Sequence, residues 1–205
     1  MKLGGSLSEM YKPREEEDKG FRRLYEDYAY VLDYLPYGRS SPDRSRHFAA
    51  PTVQVLGENY FTLLEVELKP GTTVAMHDRI YVGKERREKV SRVIGRISYE
   101  ELTATAKAEL MATVEEMVRN KEQQYVDFFN KAQAVTPRMH MLELLPSIGK
   151  KSMWQILDER EKKLFESFKD IQGRAGVTDP VKIIAKRIVE ELSEEPKYRI
   201  FTRTF

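Results

Sequence analysis

The segment Leu144-Leu145-Pro146-Ser147-Ile148-Gly149-Lys150-Lys151 has the residue types and the order needed to hold an oxyanion. The apolar residues up to Leu145 read as the end of one helix, Pro146 and Gly149 punctuate a tight turn, and a second helix is expected from near Lys150. The first amides of that helix have no intrahelical acceptor and carry the positive end of its dipole. Gly149 has no Cβ to keep a phosphate away from them. Ile148 is expected to plug between the two helices and fix the turn. Lys150, Lys151 and the Ser152 hydroxyl stand at the mouth, where the same phosphate meets two ammonium groups and a hydroxyl. Such contacts read the backbone and not the bases, so binding with little sequence preference is expected.

A second basic stretch runs over 79–96. Arg79, Lys84, Arg86, Arg87, Lys89, Arg92 and Arg96 are opposed there only by Glu85 and Glu88. Tyr81 lies among these charges, and stacking on a base would contribute roughly 1–3 kcal/mol. The loop 38–47 adds Arg39, Arg44 and Arg46 against Asp43. If these groups and the two lysines share one side, about five to eight phosphates can be engaged. Affinity then falls by roughly 0.7 log units per contact for each tenfold rise in salt on a single strand. Each signal has a plainer reading: an ordinary helix connection for the turn, a solvated face for the cations. Trp154, beside Met153 and Ile156, reads as core. His47, His77 and His140 are too scattered for a metal site, and no pair of carboxylates has a catalytic spacing. With no Walker loop, no Gly-x-Gly-x-x-Gly and no nucleophile elbow, no enzyme activity, cofactor or metal is expected.

The elements that must position these residues follow from hydrophobic period. The chain has 205 residues, room for one domain or two small ones, and a formal net charge of only +2, so any basic surface arises by local clustering. It has no cysteine, which excludes disulfides, thiol catalysis and cysteine–zinc sites. No apolar run approaches a membrane span and no signal-peptide core is visible, so a cytoplasmic protein without a membrane partner is expected. Residues 1–24, with Glu15, Glu16, Glu17 and Asp18, read as a flexible acidic tail. Within 25–99 five strands are predicted, at 28–35, 52–56, 60–68, 73–82 and 90–97. In the third, Phe61, Leu63, Glu65 and Glu67 share one face and Leu64, Val66 and Leu68 the other. Five short strands predict a small closed barrel, because closure removes exposed edges. Ser98 and Glu101 form a capping box opening a connecting helical segment, 100–136, which Pro137 is expected to end. Residues 137–195 read as two helical hairpins in a row, with Asp179 and Pro180 starting the last helix. The segment 196–205 is extended and either adds a strand or docks elsewhere.

The turn at 145–151 resembles the helix-hairpin-helix nucleic-acid-binding family, whose pattern is Leu-Pro-Gly-aliphatic-Gly before a basic helix start. Leu145, Pro146, Ile148, Gly149, Lys150 and Lys151 match, and Ser147 replaces the first glycine, where a positive φ would strain it. The stretch 171–177 matches more weakly: it keeps Gly176 as the final glycine, lacks the proline and the lysines, and offers Arg174 as its one phosphate contact. The resemblance implies that one hairpin grips phosphate while the other packs, and also that such a module can pair proteins. From about Tyr28 onward the chain also resembles an archaeal family known as domain of unknown function 655. The residues are Tyr30-Val31-Leu32-Asp33-Tyr34, Ile97-Ser98-Tyr99-Glu100-Glu101-Leu102, the 144–151 turn and Asp179-Pro180-Val181. That resemblance implies a barrel like the oligonucleotide/oligosaccharide-binding (OB) fold followed by the hairpin module. The usual helix between barrel strands three and four has no room between Leu68 and Thr73, which leaves an SH3-like barrel open.

The expected fold class is therefore α+β in two domains: a small five-stranded OB-like or SH3-like β-barrel, then an all-α tandem helix-hairpin-helix domain. The expected function is non-enzymatic binding of a nucleic-acid backbone, with RNA slightly ahead of DNA. A scaffold docking a protein in a ribonucleoprotein or transcription assembly is the alternative.

Overall fold

The computed structural model describes residues 25–38, 50–194 and 196–202. The expected tail at 1–24, the loop cations Arg39, Arg44 and Arg46, and the last three residues of the extended end lie outside the described residues.

Five strands form one antiparallel sheet: β1 (Tyr28–Leu35), β2 (Thr52–Gly57), β3 (Leu63–Leu68), β4 (Arg79–Tyr81) and β5 (Val90–Arg96). Alternation sorts their side chains onto two buried faces. Ala29, Val31, Val53, Val55, Leu64, Val66 and Leu68 join Ile80, Val82 and Val90 in one cluster. Tyr30, Leu32, Leu56 and Leu63 face the other way and pack with the helices. Burial on both faces explains why β2 is covered along its whole length. The β2–β3 loop is held from below by the Glu26 carboxylate, which accepts from the amides of Asn59, Tyr60 and Thr62. A side chain at Gly57 would strike that carboxylate at 2.2 Å.

The sheet curls into a half-barrel and does not close as the strand count predicts. Its order is β4-β1-β2-β3-β5, so among the described residues β4 and β5 are edges unpaired with each other. The strand predicted over 73–82 shrinks to three residues. Before it, His77 takes a positive φ and the Ala75 amide donates to Asp78. After it, the amides of Val82 and Gly83 both turn to the Asp27 carbonyl. Residues from both edges line a cleft of about 540 Å³ along the open seam, among them Val82, Lys84, Val93 and Arg96.

Five helices follow: α1 (Ala104–Asn120), α2 (Glu122–Lys131), α3 (Lys150–Lys162), α4 (Phe168–Ala175) and α5 (Pro180–Ser193). Of these, α1 packs on β1 on the other face, and the rest pack on α1 and one another. The Ser98–Glu101 box forms, but it opens a single 3₁₀ turn, Tyr99–Glu101. The N-cap of α1 is Thr103, whose hydroxyl accepts from the Ala106 amide and donates to Asp33 on β1 at 2.6 Å. Buried Gln54 on β2 donates to the Glu101 carbonyl and accepts from the Thr103 amide. These bonds stitch the sheet to α1. Lys121 divides the predicted continuous helix into α1 and α2. Pro137 sits in a small hairpin, β6 (Ala134–Thr136) with β7 (Met139–His140), beyond the end of α2.

One core cluster runs from Tyr30 and Leu56 of the sheet through Leu110 and Tyr125 to Ile156, Ile171 and Ile188. The C-terminal segment docks on the helices. Glu191, with no exposure, accepts from the amides of Ile200, Phe201 and Thr202, from the Thr202 hydroxyl and from Arg187. Phe201 then packs on Tyr125 and Phe128.

Candidate functional site

The approach to the first turn is shorter than the predicted helix: one 3₁₀ turn, Met141–Leu144. His140 caps it, its Nδ1 accepting from the Leu142 amide, while Glu143 accepts from the His140 amide. Leu145 and Ile148 are buried, at 2% and 5% exposure, and the Ile148 amide closes back onto the Leu145 carbonyl at 3.2 Å. That is the plug expected of Ile148. Ser147 has φ +66°, the left-handed conformation, which costs a residue with a Cβ about 1–2 kcal/mol. Gly149 is the N-cap of α3 at φ −90°, so its value here is not conformational. No side chain caps α3, and open space surrounds the point where a Gly149 side chain would project. Lys150 and Lys151 are exposed, and among the described residues neither has an ion pair. Ser152 is half-buried behind them.

The second turn repeats the left-handed bend and the buried aliphatic, but takes one more residue, Thr178, to reach its helix and caps it differently. α4 ends at Ala175; Gly176 is left-handed at φ +68°, Val177 is buried, and Asp179 caps α5 by accepting from the Lys182 amide at 3.0 Å. Gly176 thus stands where Ser147 stands, not where Gly149 stands, which corrects the register read from sequence. Both turns border one cleft of about 210 Å³, where Ser147 and Ser152 meet Gly176, Thr178, Lys182 and Lys186. Lys182 and Lys186 are exposed without ion pairs among the described residues. Sequence reasoning missed them. Their signal was an i,i+4 pair opposite the Ile184–Ile188 stripe.

Arg174, the phosphate contact expected of this stretch, is engaged within its own chain. Its guanidinium donates to the carbonyls of Glu159 and Lys163, pairs with Asp170 at 3.1 Å and lies over the Phe165 ring. It braces α4 against the end of α3.

The sheet cations are similarly committed to their own chain. Arg79 donates twice to Glu58, at 3.1 and 2.7 Å, with its guanidinium 3.4 Å above the Tyr28 ring. The bonds to Glu58 push its pKa up, against burial, which lowers it. Lys84 lies over Tyr25, Arg87 donates to the Gly83 carbonyl, Lys89 approaches Asp78 at 3.5 Å and Arg92 pairs with Glu67. Of the sequence candidates here, Arg86 stands exposed without a partner among the described residues. Tyr81 is half-buried, edge-on to Tyr28, and its hydroxyl accepts from the Glu85 amide, so its ring is not the free platform expected. The clefts these residues line contain none of the turn residues. Trp154 departs furthest from expectation: it is 60% exposed on α3, not core.

Among the described residues no group of three or more His, Asp or Glu is placed to hold a metal ion, and no helix is long and apolar enough to cross a membrane.

Residues 25–203, carrying the sheet and both turns, match the family model described as "Protein of unknown function (DUF655)", and the chain belongs to that family. It is 46% identical over 201 residues to the uncharacterized protein MJ0038 of Methanocaldococcus jannaschii, a match spanning 97% of this chain and 88% of that protein. It is also similar to the crystal structure of Af1531 from Archaeoglobus fulgidus, described as family-model DUF655. That likeness has a TM-score of 0.81 at 47% identity and covers 87% of this chain and 100% of that one.

Proposed function

We propose that this protein is a non-enzymatic nucleic-acid-binding protein that grips the phosphate backbone at the 145–152 turn. The observation that carries the reading is the start of α3: an exposed glycine N-cap with no side chain over it, followed by two lysines without ion pairs. Uncapped amides and the helix dipole favour an oxyanion there, and the ammonium groups supply counterion release. In this reading 137–195 is a tandem helix-hairpin-helix module and 25–99 an OB-like platform beside it. Ser147, Ile148, Gly149, Lys150, Lys151 and Ser152 form the grip. Lys182 and Lys186 extend it, and Arg86 is an outlying contact. RNA stands slightly ahead of DNA, because single strands leave bases free for contact.

The test is titration of fluorescent RNA and DNA at low and high salt, with Lys150→Glu/Lys151→Glu as the comparison. Binding that weakens with salt and with the double substitution supports the proposal. Binding indifferent to both overturns it, and a stable protein complex without nucleic acid favours a scaffold instead.

A further inference from the structure

Trp154 is the one tryptophan in the chain. Its ring is exposed, and among the described residues no ring or cation is stacked on it and its indole N–H has no partner. Met153 and Ile156, its neighbours in sequence, are buried, so α3 turns its apolar stripe inward and Trp154 outward. At about 100° per residue, Lys150 and Lys151 lie one turn below on the same outward face, to either side of the ring. The rise between Lys150 and Trp154 is about 6 Å along the axis. A phosphate at the lysines therefore leaves its own nucleotide within reach of the indole. Asp158 is the carboxylate one turn further on this face, so negative charge bounds the strip beyond the ring.

We propose that Trp154 is a stacking platform for an unpaired nucleobase whose phosphate is held at Lys150 and Lys151. This rests on the phosphate reading above and adds to it the part of the ligand that is not phosphate. Every base has a π face, so an aromatic platform adds affinity while leaving sequence preference low. The neighbouring cations favour a ligand carrying both an aromatic plane and negative charge. A base in a duplex is already stacked on both faces, so the platform selects single strands.

The single tryptophan makes the experiment direct. Full-length protein is titrated with fluorescein-labelled oligouridylate, with a duplex of the same length and with inorganic polyphosphate, following probe anisotropy and tryptophan emission separately. Oligouridylate is expected to bind and quench the emission. Polyphosphate is expected to compete for the lysines without quenching. Trp154→Ala is expected to weaken oligouridylate by about 5- to 150-fold and leave polyphosphate unchanged, and Trp154→Phe to retain most of the affinity. Oligouridylate binding with unaltered emission and full affinity in Trp154→Ala overturns the platform and leaves the phosphate grip standing. Failure of both oligouridylate and polyphosphate to bind overturns the grip and the platform together. Loss of a dimer or protein complex in Trp154→Ala, with oligouridylate affinity unchanged, assigns the ring to protein docking and overturns the proposal.

Discussion

The turns at 146–149 and 176–179 share a bend and differ in how they end. Each has a left-handed residue, Ser147 or Gly176, followed by a buried aliphatic, Ile148 or Val177. The first then reaches its helix through a bare glycine and two lysines. The second reaches its helix through Asp179, whose carboxylate already occupies the Lys182 amide, and through Pro180, which has no amide to offer. A helix start is thus open or closed to an external anion according to the residues at its cap and first position, after a left-handed bend and an aliphatic plug common to both.

The difference can be broken most severely by removing the cations. Lys150→Ala/Lys151→Ala is expected to lower the salt slope of single-strand binding by about 1.4 and affinity by about 25-fold at 0.1 M salt relative to 1 M. Charge reversal with glutamate goes further, and equilibrium titration across a salt series reads both. Exchanging the caps is the next test. Gly149→Asp gives the first turn the second turn's carboxylate, and should weaken binding about tenfold or more while stabilising α3 by a few tenths of a kcal/mol. Asp179→Ala should cost about 1 kcal/mol in urea denaturation with little change in affinity. A large rise in affinity there would mean that the second turn also takes phosphate once uncovered.

Exchanging the left-handed residues probes the shared part. Ser147→Gly relieves a strained φ and is expected to stabilise by up to about 1 kcal/mol, whereas Gly176→Ser should destabilise by a similar amount. Neither should alter binding by more than a small factor. The smallest effect is expected from pH. Burial, and after it the Arg160 charge, holds His140 below its ordinary pKa of 6.5. The fold therefore prefers the neutral ring, whose Nδ1 accepts from Leu142, and the unfolded chain takes up the proton first. Stability contributed by His140 is complete above the ordinary value and declines as pH falls through the lower folded value. Urea midpoints between about pH 7.5 and about pH 5.5 should show that decline, and His140→Asn should flatten it.

Much of this was legible because it is local. The alternation read over 60–68 places Phe61 and Leu63 on one face and Leu64, Val66 and Leu68 on the other, as they are found, whereas in 28–35 a bulge after Val31 returns Tyr34 to the side of Ala29 and Val31. The Ile148 plug follows from its place between Ser147 and Gly149. The Trp154 error was a matter of angle: at 100° per residue it cannot share a face with Met153 or Ile156, although all three look apolar in a row. Arg79 and Arg92 looked free because their partners are distant in sequence, and Arg87 because its partner is a backbone carbonyl. Glu58 lies 21 residues from Arg79, and Glu67 lies 25 from Arg92, on neighbouring parts of the sheet. Arg174 could be read only in part: Asp170 lies four residues before it on one helix, but two of its other partners are backbone carbonyls. Closure failed for a related reason: strand number says nothing of whether the two end strands are long enough to meet.

The Glu191 anchor has a consequence for how the molecule is completed. Arg187 on the same helix is its charge partner, but the remaining acceptor capacity of the buried carboxylate is filled only when residues 200–202 bring their amides and hydroxyl to it. Until residues 200–202 have joined the fold, that carboxylate is buried on α5 with its hydrogen bonding incomplete. A product truncated a few residues earlier should be recognised by proteases as unfinished, not tolerated as a shorter version of the same protein.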